Sequence, residues 1–313
     1  MRYICLLLLS FILITTPSFA KEPNKVICGV YPINLYDFDF TKNNFKITYY
    51  FWTLSKTKYD AGKNMEVANA TEYKVDFSDL DKVNGFNRST VRYAATVMTN
   101  WDLTYFPFDH QTLVVDMEDS VYAEEKIKFI ADAKNSNFAT NLLPSGWELK
   151  KFELKTDAHL YDTNFGDPSV KNSKFSRLKL VFHIKRFGGM LYLGLFIGFY
   201  IAFFLCLVAY LSPIALVDFR GDLMLGALFA TIGNKYIIEQ SIPPNTYVLL
   251  FDVFQLTTFM VIVYTTCIII VSYNFYHSGK EEKAMFLNKI SALVSSVFYI
   301  VSSVVFTYIA VVS

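Results

Sequence analysis

The chain has 313 residues, of which 53% are hydrophobic, and its formal net charge is +1 at pH 7. A chain this close to neutral has no surplus of basic residues for a phosphate backbone, so no nucleic-acid partner is expected. The positive mean hydropathy instead favours a protein that is partly embedded in a membrane.

The first twenty residues have the pattern of a signal peptide. Arg2 gives a basic start, residues 4–14 form an apolar run, and Ser18 and Ala20 form a small-x-small cleavage site. We expect cleavage after Ala20, which assigns residues 1–20 to the signal peptide. An uncleaved anchor helix is the alternative. Export would place the following domain on the extracellular or periplasmic side of the membrane.

Residues 21–187 predict a water-facing β domain. Runs rich in β-branched and aromatic residues recur, among them residues 45–52, 91–97 and 178–184. Turn-forming clusters separate these runs, and no helical periodicity lies between them. The pattern predicts a β-sandwich of six to ten short strands. Its single cysteine, Cys28, leaves this domain without an internal disulfide.

Residues 188–313 predict a membrane domain. Four apolar segments follow one another there, each near or beyond the roughly 20 residues that a helix needs to cross a bilayer. They extend over about residues 188–210, 217–239, 246–274 and 288–312. The predicted fold class is therefore an extracellular β-sandwich followed by a four-helix transmembrane bundle. Four crossings would return the C-terminus to the outer side of the cell membrane.

One segment of the β domain carries a resemblance to a known family. Residues 101–113 read Trp-Asp-Leu-Thr-Tyr-Phe-Pro-Phe-Asp-His-Gln-Thr-Leu, and no cysteines flank the Pro-Phe-Asp core. This segment is similar to the corresponding one in pentameric ligand-gated ion channels of the Cys-loop receptor superfamily, in the prokaryotic form without the Cys-loop disulfide. The order of domains and the linker from Glu239 to Pro243 agree with that family. The resemblance implies a homopentamer that conducts ions when an agonist binds.

The coupling between the two domains is predicted at the same segment. Pro107 cannot donate to a sheet and should end a strand, and Phe108 then needs an apolar surface. Asp109 would be partly buried, and Arg186 is its expected partner. The resemblance adds Asp39 to this cluster. An ordinary β-turn with solvated charges is the alternative. The full coupling set, which includes the linker proline, is Asp39, Pro107, Phe108, Asp109, Arg186 and Pro243.

The resemblance also places a pore-lining stripe on the second apolar segment. The stripe advances by alternating four- and three-residue steps, which keep one helical face toward an axis. It contains Asp222, Gly226, Phe229, Gly233, Tyr236 and Gln240, with Asp218 just outside it. Acidic rings attract cations by direct electrostatics, and the expected permeating species are monovalent cations. A ring of Phe229 could close the pore by dewetting. A rival face carries Thr231, Asn234, Lys235 and Glu239, and the two glycines of the stripe could instead serve close helix packing.

The agonist site is the least defined feature of the sequence. The family's second-strand tryptophan position reads Ser55, and no Trp-x-Pro-Asp segment is present. The remaining candidates for ligand contacts are aromatic residues of the later loops, although aromatic residues in a sandwich more often pack in the core. They are Tyr122, Trp147, Tyr161 and Phe165. A small molecule and the proton are equally compatible agonists.

No enzyme activity is predicted. The chain has only four histidines, without an i, i+4 metal pair or a Gly-x-Ser-x-Gly segment, so no metal site and no cofactor are expected. The predicted partners are the lipid bilayer, further copies of the chain, the agonist and the permeating cations. The alternative function is a non-conducting membrane sensor or auxiliary receptor subunit of the same architecture, which the incomplete aromatic set would favour.

Overall fold

The computed structural model describes residues 22–166, 173–240, 242 and 248–312. The predicted signal peptide, residues 1–20, and Pro243 of the predicted linker lie outside these residues. The described part of the chain before residue 187 folds mainly as strands. Their bounds are β1 Asn24–Asp39, β2 Asn44–Ser55, β3 Met65–Val67, β4 Ala70–Val83, β5 Phe86–Met98, β6 His110–Asp119, β7 Ile127–Ala131, β8 Trp147–Tyr161 and β9 Ser173–Arg186.

The strands form two sheets that share one hydrophobic core. The larger sheet has the order β4-β5-β2-β1-β7 and the smaller has the order β3-β6-β9-β8. The larger sheet is mixed, because β1 pairs antiparallel with β2 and parallel with β7. Alternate residues of each strand point inward, so Phe45 and Tyr93 of one sheet meet Leu113 and Phe182 of the other.

Helices follow directly after the last strand. Only two residues separate the end of β9 at Arg186 from the first residue of the following helix, Gly189. A single earlier helical turn, α1 Ala61–Asn64, lies between β2 and β3. The long helices are α2 Gly189–Leu211, α3 Val217–Glu239, α4 Leu250–His277 and α5 Glu281–Val312.

The predicted bundle of four membrane-spanning helices is wrong. Among the described residues, three helices are long and apolar enough to cross a membrane, namely α2, α4 and α5. These three helices make the protein membrane-associated. Helix α3 has sufficient length, but its 23 residues include five charged side chains, which are expensive in hydrocarbon. Length and overall apolarity alone favour a span here, and these charges decide against it.

The four long helices nevertheless pack side by side. Helix α2 contacts α3 and α4, α3 contacts α4, and α4 contacts α5. Aromatic rings fill the end of this assembly that faces the sheets, with Phe196 and Phe254 centred 4.9 Å apart in an edge-to-face arrangement. A polar contact joins α2 to α3, because the side chain of Asn234 donates to the carbonyl of Leu195 at 2.8 Å.

Candidate functional site

The loop between β5 and β6 forms the contact between the sheets and the helices. Its two ends are held by Gln111, whose amide donates to the carbonyl of Asp102 at 2.7 Å and accepts from the Asp102 backbone at 3.1 Å. The indole of Trp101 donates to the carbonyl of Asp39 at 3.1 Å. These bonds fix the loop on the sheet, so that its tip projects toward the helices.

Asp109 and Arg186 form a buried ion pair at the base of this loop. Nε of Arg186 lies 2.7 Å from Oδ1 of Asp109, and Nη2 lies 3.2 Å from Oδ2. The side chain of Asp109 is 1% exposed and that of Arg186 is 11% exposed. Gln111 also donates to Oδ2 of Asp109, at 2.8 Å. The expected contact between Asp109 and Arg186 is present, in the bidentate form that gives such pairs their geometric specificity.

Aromatic rings surround the guanidinium of Arg186. Its central carbon lies 4.1 Å from the ring centroid of Trp147, 4.9 Å from that of Phe40 and 5.0 Å from that of Phe106. Each ring presents a negative face to the cation, and the attraction strengthens where water is excluded. Arg186 therefore connects three segments of the β domain immediately before the chain enters α2.

The tip of the same loop touches two helices. The ring of Phe108 lies 5.3 Å from that of Tyr192 in α2. Thr104 accepts a hydrogen bond from the backbone of Leu250, the first residue of α4, at 3.2 Å. Phe106 belongs to the hydrophobic cluster of the helices. A displacement of the loop would therefore act on α2 and α4 directly.

The position of Asp39 differs from the expectation. Its carboxylate accepts from the backbone N–H of Lys42 at 2.8 Å and faces the ammonium of Lys42 at 3.5 Å. The hydrogen bond from Lys42 lowers the pKa of Asp39. The carboxylate is therefore occupied in its own turn and does not join the ion pair of Arg186. The contact to that pair comes instead from the next residue, Phe40.

Helix α3 exposes the stripe that the sequence analysis assigned to a pore. Phe229 is 70% exposed in the single chain and Tyr236 is 63% exposed. Every residue of the predicted stripe is exposed or half-buried. These residues are Asp218, Asp222, Gly226, Phe229, Gly233, Tyr236 and Gln240.

The rival face of α3 is buried at two of its four residues. Thr231 is fully buried and donates to the carbonyl of Ala227, and Asn234 is 6% exposed. Near the end of the helix, Lys235 and Glu239 face each other at 3.4 Å. Thr231 and Asn234 therefore pack inside the helical assembly, with Asn234 bonded to Leu195 of α2, whereas Lys235 is half-buried and Glu239 is exposed.

The glycines of the stripe do not mark close helix packing within the chain. A Cβ added at Gly233 would have no neighbour within 4 Å, and one at Gly226 would meet Leu205 at an ordinary 3.5 Å. The close approach is at Gly198 of α2, where an added Cβ would lie 2.5 Å from Oδ1 of Asn234. Sequence spacing alone does not distinguish these glycines.

The candidate ligand aromatics lie in separate places. Trp147 stands opposite Arg186 in the β8–β9 ladder, so it belongs to the ion-pair cluster and not to a shared aromatic site. The rings of Tyr161 and Phe165 are 5.4 Å apart. Tyr122 lies beneath the ammonium of Lys126, at 5.8 Å from its ring centroid. An aromatic box built from all four is therefore not formed within one chain.

A buried charge cluster lies beside Tyr161 and was missed by the sequence analysis. Arg177 donates to Glu118 at 2.8 Å, to Asp116 at 3.4 Å and to the hydroxyl of Tyr161 at 3.2 Å. Burial raises the pKa of Glu66, and Glu118, its partner in the β3–β6 ladder, adds to the effect. The i, i+2 spacing of Asp116 and Glu118 on β6 was the available signal.

A second buried arginine was also missed. Arg220 of α3 is 0% exposed, and its guanidinium donates to the carbonyl of Ala209, to Ser272 and to Asn288 at 2.8, 3.3 and 3.0 Å. These partners belong to α2, α4 and α5. Pro213 explains the first contact, because proline has no N–H to donate to the carbonyl four residues earlier. One side chain thus connects all four long helices.

No family model matches the chain, and no curated protein matches it. Among the described residues, no group of three His, Cys, Asp or Glu side chains is arranged to hold a metal ion. The chemistry that these residues do offer is electrostatic and mechanical. A buried ion pair lies where the strands meet the helices, and a partly acidic helix face lies open beside three apolar helices.

Proposed function

We propose that the chain is one subunit of a ligand-gated, cation-selective channel of the pentameric type. The β domain binds an agonist outside the cell membrane, and the helices enclose an ion pathway in the oligomer. The agonist is a small molecule or the proton. Monovalent cations are the permeating species.

The exposed face of α3 supports this proposal most directly. Two of the five charged side chains of α3, Asp218 and Asp222, lie on its exposed face, and exposed carboxylates are costly in lipid. Such a helix needs water on its open side, and a ring of copies supplies an aqueous axis. Asp218 and Asp222 on that side would attract cations, while Phe229 would restrict the wetted passage.

The loop between β5 and β6 supports the gating part of the proposal. It is held on the sheet by the pair of Asp109 and Arg186, and it contacts α2 and α4 through Phe108 and Thr104. A rearrangement of the sheets on agonist binding would therefore reach the helices through contacts that already exist. Coupling of this kind requires an element that can adopt two conformations, and both agonist binding and pore opening must favour the same one.

Measurements of oligomeric state and ion flux test whether the protein is a pentameric channel. Native mass spectrometry of the purified protein should give a pentamer, and the protein in liposomes should pass sodium or potassium when a ligand screen that includes pH is applied. A stable monomer or dimer without larger species would refute the channel. A pentamer that stays silent under every condition would favour the non-conducting sensor, which the scattered aromatic residues also favour.

Cysteine accessibility tests the pore face. In protein from which Cys206 and Cys267 have been removed, Asp222→Cys and Tyr236→Cys should react with a water-soluble thiol reagent, and Asn234→Cys should be protected. Protection of the first two with labelling of the third would overturn the assignment. Asp222→Asn should also lower cation conductance or selectivity, with the distant Glu282→Gln as a control that leaves both unchanged.

A further inference from the structure

A cavity at the far end of the β domain has the chemistry of a binding site. Its volume is about 1080 Å³, and it lies beside the first residues of β1, the end of β2 and the start of β7. Strand β1 leads from this end to Asp39 at the helix side, a span on the order of 40–50 Å for an extended strand of its length. We call this cavity the distal pocket. It is remote from the junction and from the pore face.

Four lysines line the distal pocket, namely Lys25, Lys56, Lys58 and Lys126. Two glutamates, Glu22 and Glu125, also line it, so the formal charge is positive. None of the ion pairs in the described part of the chain includes one of these four lysines. Lys126 lies over the ring of Tyr122 at 5.8 Å, and the other three ammonium groups are available to a ligand. A concave surface with a net positive charge concentrates anions.

Backbone hydrogen bonds hold two of these lysines in place. Asn87 donates from its side chain to the carbonyl of Lys56 at 3.1 Å, which fixes the turn after β2 against the β4–β5 hairpin. The carbonyl of Lys126 accepts from the backbone of Asn24 at 2.8 Å. The backbones of Lys56 and Lys126 are therefore fixed next to the strands, and their flexible stems carry the ammonium groups.

The floor of the distal pocket is apolar. Ile27 and Ile130 are register partners in the parallel β1–β7 pair, so their side chains lie on one face of the sheet. Phe86 and Tyr122 extend this surface. Ile130 is 41% exposed and Tyr122 is 37% exposed in the single chain. Apolar walls with a few charged groups are the usual composition of small-molecule sites.

We propose that the distal pocket binds a small organic anion, an aromatic or branched aliphatic carboxylate, with its apolar body on Ile27 and Ile130 and its carboxylate among the lysines. The combination decides the class of ligand. A cation would be repelled by the lysines, and an inorganic anion would leave the apolar floor unused. The site does not depend on the channel function, because binding can be measured on the closed or even non-conducting protein.

Binding of 2-naphthoate to the full-length protein in lipid nanodiscs tests the site. Calorimetric titration should give saturable binding that weakens as salt is raised. The neutral analogue 2-naphthol should bind at least several-fold more weakly, and inorganic phosphate should compete poorly. Absence of saturable binding, equal affinity for the neutral analogue, or equally effective competition by phosphate would each overturn the proposal.

Substitutions locate the binding in this pocket. The double substitution Lys56→Gln and Lys58→Gln should weaken 2-naphthoate binding by about tenfold, the effect of two partly exposed charge pairs. Ile130→Ser should weaken it by a few-fold through lost apolar contact. Lys134→Gln is the control, because Lys134 is an exposed lysine of the β domain that does not line the pocket. A loss in Lys134→Gln as large as that in the double variant would show nonspecific charge attraction and refute the site.

Discussion

Two buried arginines hold the two halves of this molecule by different means. Arg186, at the end of the last strand, has a carboxylate partner in Asp109 and three aromatic rings around it. Arg220, within the helices, has three neutral partners. The first forms a balanced ion pair, whereas the second spreads one charge over the dipoles of a carbonyl, a hydroxyl and an amide.

Because of this difference, removing each arginine leaves a different kind of buried group without a partner. Removal of Arg186 would strand a buried carboxylate, and such a charge is far more costly than a neutral polar group. Removal of Arg220 would strand only neutral acceptors, each of which costs less. The junction should therefore be sensitive to charge, and the helices should be sensitive to shape and hydrogen bonding.

The largest effect is expected at the junction. Arg186→Gln and Asp109→Asn should each destabilise the protein by about 3–5 kcal/mol, because each leaves one member of the pair buried without its partner. The double variant should lose much less than the sum of the two. Thermal unfolding in detergent, followed by intrinsic fluorescence, measures all three, since Trp147 stacks on Arg186. Additive losses would show that the two side chains act independently.

The same variants also test gating. If the pair transmits the motion of the sheets, the single variants that remain pentameric should need more agonist to open. Lys46→Gln is the control, because it breaks a pair with Asp37 in which both side chains are substantially exposed. An unchanged agonist response in assembled Arg186→Gln would remove the pair from the gating pathway.

A smaller effect is expected at Arg220. Arg220→Met should destabilise the protein by about 2–3 kcal/mol, mainly through the lost bonds to Ala209 and Asn288. Arg220→Lys should be at least as harmful, because a buried ammonium cannot reach partners on three helices as the guanidinium fork does. The same unfolding measurement compares them. A clearly milder loss in the lysine variant would mean that charge, and not geometry, decides this position.

These two sites also mark how far the sequence could be interpreted. Asp109 and Arg186 could be paired in advance. Arg186 directly precedes the first long helix, and Phe108 needs an apolar surface at the helices, so that the neighbouring Asp109 needs a cation there. Arg220 gave no such signal, because its partners lie on three other helices and only packing brings them together. The position of Trp147 beside Arg186 likewise had no local signal, because it follows from strand register and register depends on long-range pairing.

The helices show the same limit at the level of the fold. The order of strands followed by long apolar segments was predictable from periodicity and composition. The prediction of α3 as a fourth membrane span was wrong, because apolarity summed over the segment outweighed its five charged side chains. The predicted place of Asp39 in the coupling cluster differs from the structure for a local reason. The backbone N–H of Lys42 donates a hydrogen bond to its carboxylate within the same turn.

Shape at the junction can be tested without a change of charge. A Cβ at Gly188 would lie 2.2 Å from the carbonyl oxygen of Pro107, whereas one at Gly189 would have no neighbour within 4 Å. Gly188→Ala should therefore cost about 2 kcal/mol, since a backbone atom cannot move aside easily. Gly189→Ala should leave stability unchanged or slightly raised. Equal unfolding temperatures for these neighbouring variants would mean that the loop yields freely.

The smallest effect concerns the contact of α2 with α3. A Cβ at Gly198 would meet the side chain of Asn234, which also bonds to Leu195, and a flexible side chain yields more easily than backbone. Gly198→Ala should cost about 1 kcal/mol, and Gly194→Ala, one turn earlier with no such neighbour, should cost nothing. Asn234→Ala should therefore destabilise the Gly198→Ala protein less than it destabilises the native protein. The reason is that the clash at residue 198 already disturbs the hydrogen bond that Asn234→Ala removes. Strict additivity in that thermal-unfolding cycle would place the strain elsewhere and show that helix packing here is looser than at the junction.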